Sequence, residues 1–346
     1  MRYTKVVLES LGYELAPVVV TSDELEERLQ PLYEARRMSP GQLEALTGIG
    51  ERRWWEEGYS LSRGAAEAGR KALAGSNVTA NDIGTTIYAG VNRENFEPST
   101  ACHVAAELGI QGAASVYDIS NACLGVLSGI IDVANQIELG QIRAGLVVSC
   151  ETAREINDIM IERMLEDASM EMFSRSMATL TGGSGAAAVL LTDGSFETAG
   201  HQLKGGVTLA APEHHALCTW GLAGEEGSTV RQLMVTDAVS VLKYGVALGD
   251  ETWRALLREL DWTVEQIDKV ICHQVGQANR DIILKTIGVP VEKDFSTYPY
   301  LGNMGTVSVP LTAALADERE FLAPGDRVAF LGIGSGLNCM MLGFEW

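Results

Sequence analysis

The chain has 346 residues, 46% apolar and 21% charged, the balance of an ordinary globular protein with room for one large domain or two medium ones. A net charge of -20 with no basic face argues against a nucleic-acid partner. No apolar run reaches the roughly 18 residues a membrane span needs, and Glu9 and Glu14 fall where a signal peptide would be apolar. The six cysteines show no CxxC or Cys/His ligand spacing, so no metal site is expected and a cytoplasmic protein with reduced thiols is.

Along the chain, Thr21-Ser22-Asp23 caps a helical stretch that Pro31 kinks or breaks. A second helix covers about 60–74, and a βαβα rhythm follows. Its strands are 85–90, 115–120 and 144–150; its helices run from Pro98 to about 108 and over 123–139. The Met-, Glu- and Asp-rich stretch 151–180 interrupts the rhythm and reads either as a cap over the core or as a long surface helix. A buried strand at 184–193 closes the first half. A loop-rich linker is expected over 194–230, then a helix at 236–260, a strand at 269–274, a helix at 277–287, another from about 307 to 321, and a strand–turn–strand ending. Both halves end in an apolar strand preceded by a Gly/Ser turn, GGSGAAAVLL and GIGSGLNCMMLGF, which suggests two similar α/β halves, 1–195 and 196–346.

Four features could carry chemistry. Cys123, in Asn121-Ala122-Cys123, falls where a strand hands over to a helix, and unpaired N–H groups and the helix dipole there favour thiolate; a buried packing cysteine is the alternative. His273 follows an apolar strand at its C-terminal end, where sites gather in α/β sheets, or is a structural histidine. Asn303 is bracketed by glycines just before a helix, as an N-cap would also be. The turn 332–338, GIGSGLN, lets backbone N–H groups approach a ligand, although it lacks the lysine and helix of a P-loop and fits a plain hairpin.

Taken together, LTGIGERRW, NACLGVLSGI, CHQV, GNMGTVSVPL and LGIGSGLN resemble the thiolase superfamily along the whole chain, most closely its ketoacyl synthase III branch. The resemblance implies a thiolase fold, two similar halves in a five-layer αβαβα arrangement, and a homodimer. It implies an acyl-Cys123 intermediate, His273 and Asn303 as its partners, and a first oxyanion hole from the N–H groups of Cys123 and Ser335. Glu97, just before Pro98-Ser99-Thr100, stands where decarboxylating synthases carry an apolar residue. A carboxylate there resembles OleA-type enzymes, which join two fatty acyl-CoA molecules head to head and use this residue, reaching in from the neighbouring subunit, to remove an α-proton. A loop glutamate capping the next helix is the plainer reading. The resemblance implies no metal and no redox cofactor, CoA thioesters being substrates, and leaves room for downstream pathway enzymes as partners.

The sequence also departs from the branch. His273 is followed by Gln274-Val275-Gly276, and Gly50 replaces an arginine, so Arg52, Arg53 and Trp54 or Trp55 become candidates for holding CoA phosphates and adenine; surface charge over a packed tryptophan explains them equally well. Methionines in 156–177 line acyl channels or pack the core. A decarboxylating 3-oxoacyl-ACP synthase III using malonyl thioester, and an inactive thiolase-fold scaffold binding a partner enzyme, are the rival readings.

Overall fold

Strands that are apolar at nearly every position belong between two covering layers. In the computed structural model, which describes residues 1–196, 200–223 and 231–346, Ala144–Glu151 and Gly185–Thr192 are buried at every position. The chain opens with strand β1 (Val7–Leu15), then β2 (Val18–Thr21), helices α1 (Ser22–Arg28), α2 (Gln30–Arg36) and α3 (Gln42–Thr47), and β3 (Glu51–Trp54). Thr21 and Glu24 form a capping box at α1, and the α1–α2 break at Leu29 puts Pro31 in the first turn of α2. Next come α4 (Leu61–Ala74), β4 (Ile83–Ala89), α5 (Thr100–Leu108), β5 (Ser115–Ile119), α6 (Gly125–Glu138) and β6 (Ala144–Glu151). The cap helices α7 (Arg154–Glu166) and α8 (Met170–Ser176) precede β7 (Gly185–Thr192).

The second half runs β8 (His201–Ala210), β9 (Cys218–Ala223), β10 (Arg231–Thr236), the long α9 (Ala238–Leu260), β11 (Lys269–Cys272), α10 (Gln277–Ile287), α11 (Tyr298–Leu301), α12 (Ser308–Glu318), β12 (Arg327–Gly334) and β13 (Asn338–Glu345). The strand order is β11-β12-β13-β8-β1-β7-β6-β4-β5. Read inward from either edge, each half ends in an antiparallel pair, β6–β7 or β12–β13, followed by its own first strand. Those first strands, β1 and β8, meet antiparallel at Val7–Gln202 and Leu8–His201.

The layers follow from which residues share a core. Helices α6 and α12 lie in the middle, where Ile130, Val133, Val309 and Ala313 pack with Ile87, Val147 and Val189 of the first half and Phe330, Leu342 and Phe344 of the second. Helices α4 and α5 cover the outer face of the first half through Ala65, Ala68 and Val104 against Leu146, Val148 and Leu190. Helices α9 and α10 cover the second through Trp253, Leu256 and Leu284 against Val270, Leu331 and Met341. The result is the αβαβα arrangement. A separate core over α7 and α8, with Leu25, Leu29, Leu32 and Trp54, makes 151–180 a cap rather than a lone surface helix.

The linker expected over 194–230 is largely a misreading. It contains β8, a central strand paired with β13 along its length, and β9. Gly205 and Gly206, which read as loop residues, mark close backbone approach instead: a Cβ on Gly206 would press on Leu342 and on the Met341 carbonyl. Positions 197–199 and 224–230 of that stretch lie outside the described residues. No helix among the described residues is long and apolar enough to cross a membrane.

Candidate active site

Strand β5 ends at Ile119, and the chain turns sharply to enter α6. Ala122 takes φ 44°, a left-handed conformation that costs a non-glycine residue about 1–2 kcal/mol. The turn is held from both sides. Asn121 donates from Nδ2 to Ser128 Oγ at 3.0 Å, and its Oδ1 accepts from Asn338 Nδ2 at 3.3 Å. Cys123 follows, two residues before the helix proper, partly exposed and lining a cavity of about 760 Å³.

The N–H groups expected to stabilise its thiolate are already engaged. Leu124 N–H donates to Asn121 O, Gly125 N–H to Ala122 O, and Val126 N–H to Thr306 Oγ1 at 2.7 Å. Burial pushes the Cys123 thiol up to about 12, Cys218 and Glu151 add to the rise, and only its own backbone N–H opposes it. Burial therefore favours the thiol over the thiolate at this position.

His273 follows the last residue of β11, and its N–H donates to Leu331 O at 2.8 Å. It lines the same cavity, and burial lowers its pKa to about 4, so the imidazole is neutral and can accept at one nitrogen and donate at the other. Its Nδ1 has no partner among the described residues. Gln274 ties this loop to the next one, because its Oε1 accepts from the N–H groups of Thr297 and Tyr298. Asn303 then lies against the first half: its N–H donates to Thr181 O at 2.8 Å, and its carbonyl accepts from Gly183 N–H at 2.9 Å. Gly305 N–H donates to Asn303 Oδ1 at 3.0 Å, which commits that oxygen and leaves Nδ2 as the donor end, with Asn303 on the cavity wall. Ser335 joins them in the β12–β13 turn; a Cβ on the adjacent Gly334 would lie 3.4 Å from Cys123 N.

Cys123, His273, Asn303 and Ser335 thus come from four separate turns of both halves and face one cavity. Its walls are mostly apolar, as a pocket for a hydrocarbon chain should be. Over its full length the chain is 57% identical to the acyl-CoA:acyl-CoA alkyltransferase of Shewanella oneidensis, with all of both chains covered. The chain belongs to the acyl-CoA:acyl-CoA alkyltransferase family. It is also 36% identical to the Xanthomonas campestris member, again over all of both chains. Residues 257–346 match the family described as 3-oxoacyl-acyl-carrier-protein (ACP) synthase III C terminal. The Xanthomonas campestris OleA structure with a cysteine replaced by alanine superposes with a TM-score of 0.94 at 35% identity, covering 100% of this chain and 98% of that one. The structure with bound lauric acid and lauroyl-CoA gives 0.92 at 35% identity, covering 99% and 100%.

Not every expected site residue of this family member reaches the cavity. Glu97 is exposed on the 90–99 loop and absent from the cavity wall of its own chain, next to a fully exposed Phe96. Arg52, Arg53 and Trp54, the candidate CoA contacts, do not line the cavity. Arg52 is fully buried and donates to Val20 O and Ser22 Oγ, because β3 pairs with β2 and turns alternate residues inward. Trp54 packs in the cap core and donates to Gly182 O. Arg53 is partly exposed, 3.8 Å from Glu51. Of the methionine-rich stretch, Met177 lines the cavity, whereas Met160 and Met164 are buried elsewhere.

Sequence reading missed two features. One is the cavity wall formed by Leu242, Gly245, Val246 and Gly249 of α9, a helical stripe whose two glycines are the available signal. The other is Glu151, a carboxylate at the end of an all-buried strand, which is the kind of placement that marks a function.

Proposed function

We propose that the protein performs a non-decarboxylating Claisen condensation of two fatty acyl-CoA molecules, as a cytoplasmic homodimer. The observation that carries the reading is the division of labour just described. Cys123, His273 and Asn303 share one apolar cavity, while Glu97 stands outside it on an exposed loop beside β5, an unpaired sheet edge. An open edge and a bare phenylalanine favour a second copy as the occupant of that face.

In the proposed cycle Cys123 Sγ attacks the first thioester and its proton passes to the neutral His273 imidazole. The N–H groups of Cys123 and Ser335 hold the tetrahedral oxyanion, and CoA leaves as the thiol with that proton. The second acyl-CoA places its thioester oxygen on N–H groups of His273 and Asn303. Glu97 of the partner subunit takes the α-proton, which is hard to remove from an unactivated thioester. The carbanion attacks the acyl carbon and expels Cys123 Sγ as thiolate, and the proton held by Glu97 returns to restore the thiol. Hydrolysis of the remaining thioester releases CoA and a 2-alkyl-3-oxo fatty acid. Electrons balance without a redox group.

Long-chain acyl-CoA supplied alone tests this. The expected results are an acyl adduct on Cys123 by mass spectrometry and a coupled 2-alkyl-3-oxo acid or its ketone. Product only with malonyl thioester would assign the decarboxylating reaction instead, and a Cys123 that takes up no acyl group would leave the scaffold reading.

A further inference from the structure

We infer that Glu151 is a positioning residue for the condensation step, holding the Asn303 turn and the root of the Glu97 loop in register across the end of β6; this rests on the function proposed above.

Glu151 is the last residue of β6 and is 4% exposed. A carboxylate this deep is costly unless its oxygens are bonded. Here they are, and the donors come from one place. Val91 N–H donates to Oε1 at 2.8 Å and Asn92 N–H to Oε2 at 3.2 Å. The Asn92 side-chain amide, with its nitrogen turned to the carboxylate, adds a third donor to Oε2. These residues begin the loop that carries Glu97. The loop is pinned again farther on: Glu94 accepts from Ser62 N–H at 2.9 Å, and Asp118 accepts from the N–H groups of Thr100 and Ala101, both at 2.9 Å. Residues 95–98 project between the anchors as a short exposed arm.

The other side of the carboxylate meets the second functional turn. Gly305 has φ 57°, and a Cβ built on it would lie 3.7 to 4.0 Å from Cγ, Cδ and Oε1 of Glu151. The peptide of Gly305 is the one that donates to Asn303 Oδ1 and so aims its Nδ2. Glu151 therefore bonds the loop that would present the base and leaves room for no more than a methyl group beside the turn that would bind the second thioester. It lines the cavity beside Cys123 but occupies neither role itself. An apolar residue would satisfy packing there, yet would strand the N–H groups of Val91 and Asn92.

Glu151→Gln keeps the size but turns one acceptor into a donor against a backbone N–H. The expected result is acylation of Cys123 within about threefold of the parent and a condensation kcat lowered about 10- to 100-fold with little change in KM. Glu151→Asp, a carboxylate one methylene short, is expected to fall between the two. A role through the Glu97 loop and the Asn303 turn has a further signature: in a Glu97→Gln background the added Glu151→Gln change costs little, because the effects of groups acting together do not multiply. Equal loss of acylation and condensation, or the full single-variant loss appearing again in the Glu97→Gln background, would overturn the assignment. So would unchanged condensation in both Glu151 variants while the parent enzyme forms product. A parent enzyme that forms no condensed product from acyl-CoA would overturn the proposed function itself, and the two failures are separable.

Discussion

Gly302→Ala perturbs the site without removing any of the side chains proposed to react. Gly302 has φ 69° and ψ -163°, a region that L residues enter at about 1–3 kcal/mol. A Cβ there would lie 2.6 Å from Thr181 O and 2.9 Å from Arg52 Cβ, below the 3.0 Å that real Cβ atoms keep. The gap to Thr181 must open by about 0.4 Å to reach that limit and by about 0.8 Å for an ordinary contact. Thr181 O is also the acceptor for Asn303 N–H, so the displacement falls on Asn303 directly. A misplacement approaching 1 Å costs up to about 100-fold in a positioned reaction. We expect condensation to fall about 10- to 100-fold and Cys123 acylation to change less than threefold, because the turn that carries Cys123 is built from β5 and α6. The assays are CoA release in a single turnover for the first step and product analysis for the second, with a thermal melt confirming the fold. Equal loss of both steps in a folded variant, or full retention of condensation, would refute the reasoning.

Three further outcomes follow from the same structure. Burial raises Glu151 from 4.5 to about 7 and lowers His273 from 6.5 to about 4, each on the order of 3 kcal/mol. As pH falls, the folded chain protonates Glu151 early and gains stability between about 7 and 4.5, whereas His273 resists protonation and loses it between 6.5 and about 4. Denaturant melts differenced against the parent are thus expected to show acid destabilisation in Glu151→Gln and acid stabilisation in His273→Asn; identical pH profiles would sink the assignment. Arg52→Ala is expected to lower stability by about 2–4 kcal/mol, with no selective rise in KM for acyl-CoA, since it strands Ser22 and the Val20 carbonyl inside the cap rather than touching substrate; a KM effect at unchanged melting temperature would restore it as a CoA contact. Gly249→Leu places a side chain where a Cβ already comes 2.9 Å from Ile283 Cδ1 on the cavity wall, so a ladder of acyl-CoA lengths is expected to shift toward shorter chains, and an unchanged profile would place the chain elsewhere.

The sequence by itself determines the elements whose signals are local. The strands at 144–150 and 184–193 are legible because continuous apolar runs of strand length need two covering layers. The α1–α2 break is legible because Pro31 acts on its own neighbours. Cys123, His273 and Asn303 are legible as candidates because each follows a strand or turn at the entrance to a helix. Their meeting in one cavity is not local information: four turns converge only because β1 and β8 join the halves, and β8 hides its strand character behind Gly205 and Gly206. Tertiary structure also decided the charges. The helix start that suggested a stabilised thiolate has its N–H groups spent on Asn121, Ala122 and Thr306, so burial governs and favours the thiol. Likewise Arg52 reads as a surface cation and is a buried one, because the pairing of β2 with β3, which no spacing announces, turns it inward. Local propensity follows from neighbours in sequence, whereas solvation, and with it every pKa and every shared cavity, follows from neighbours in space.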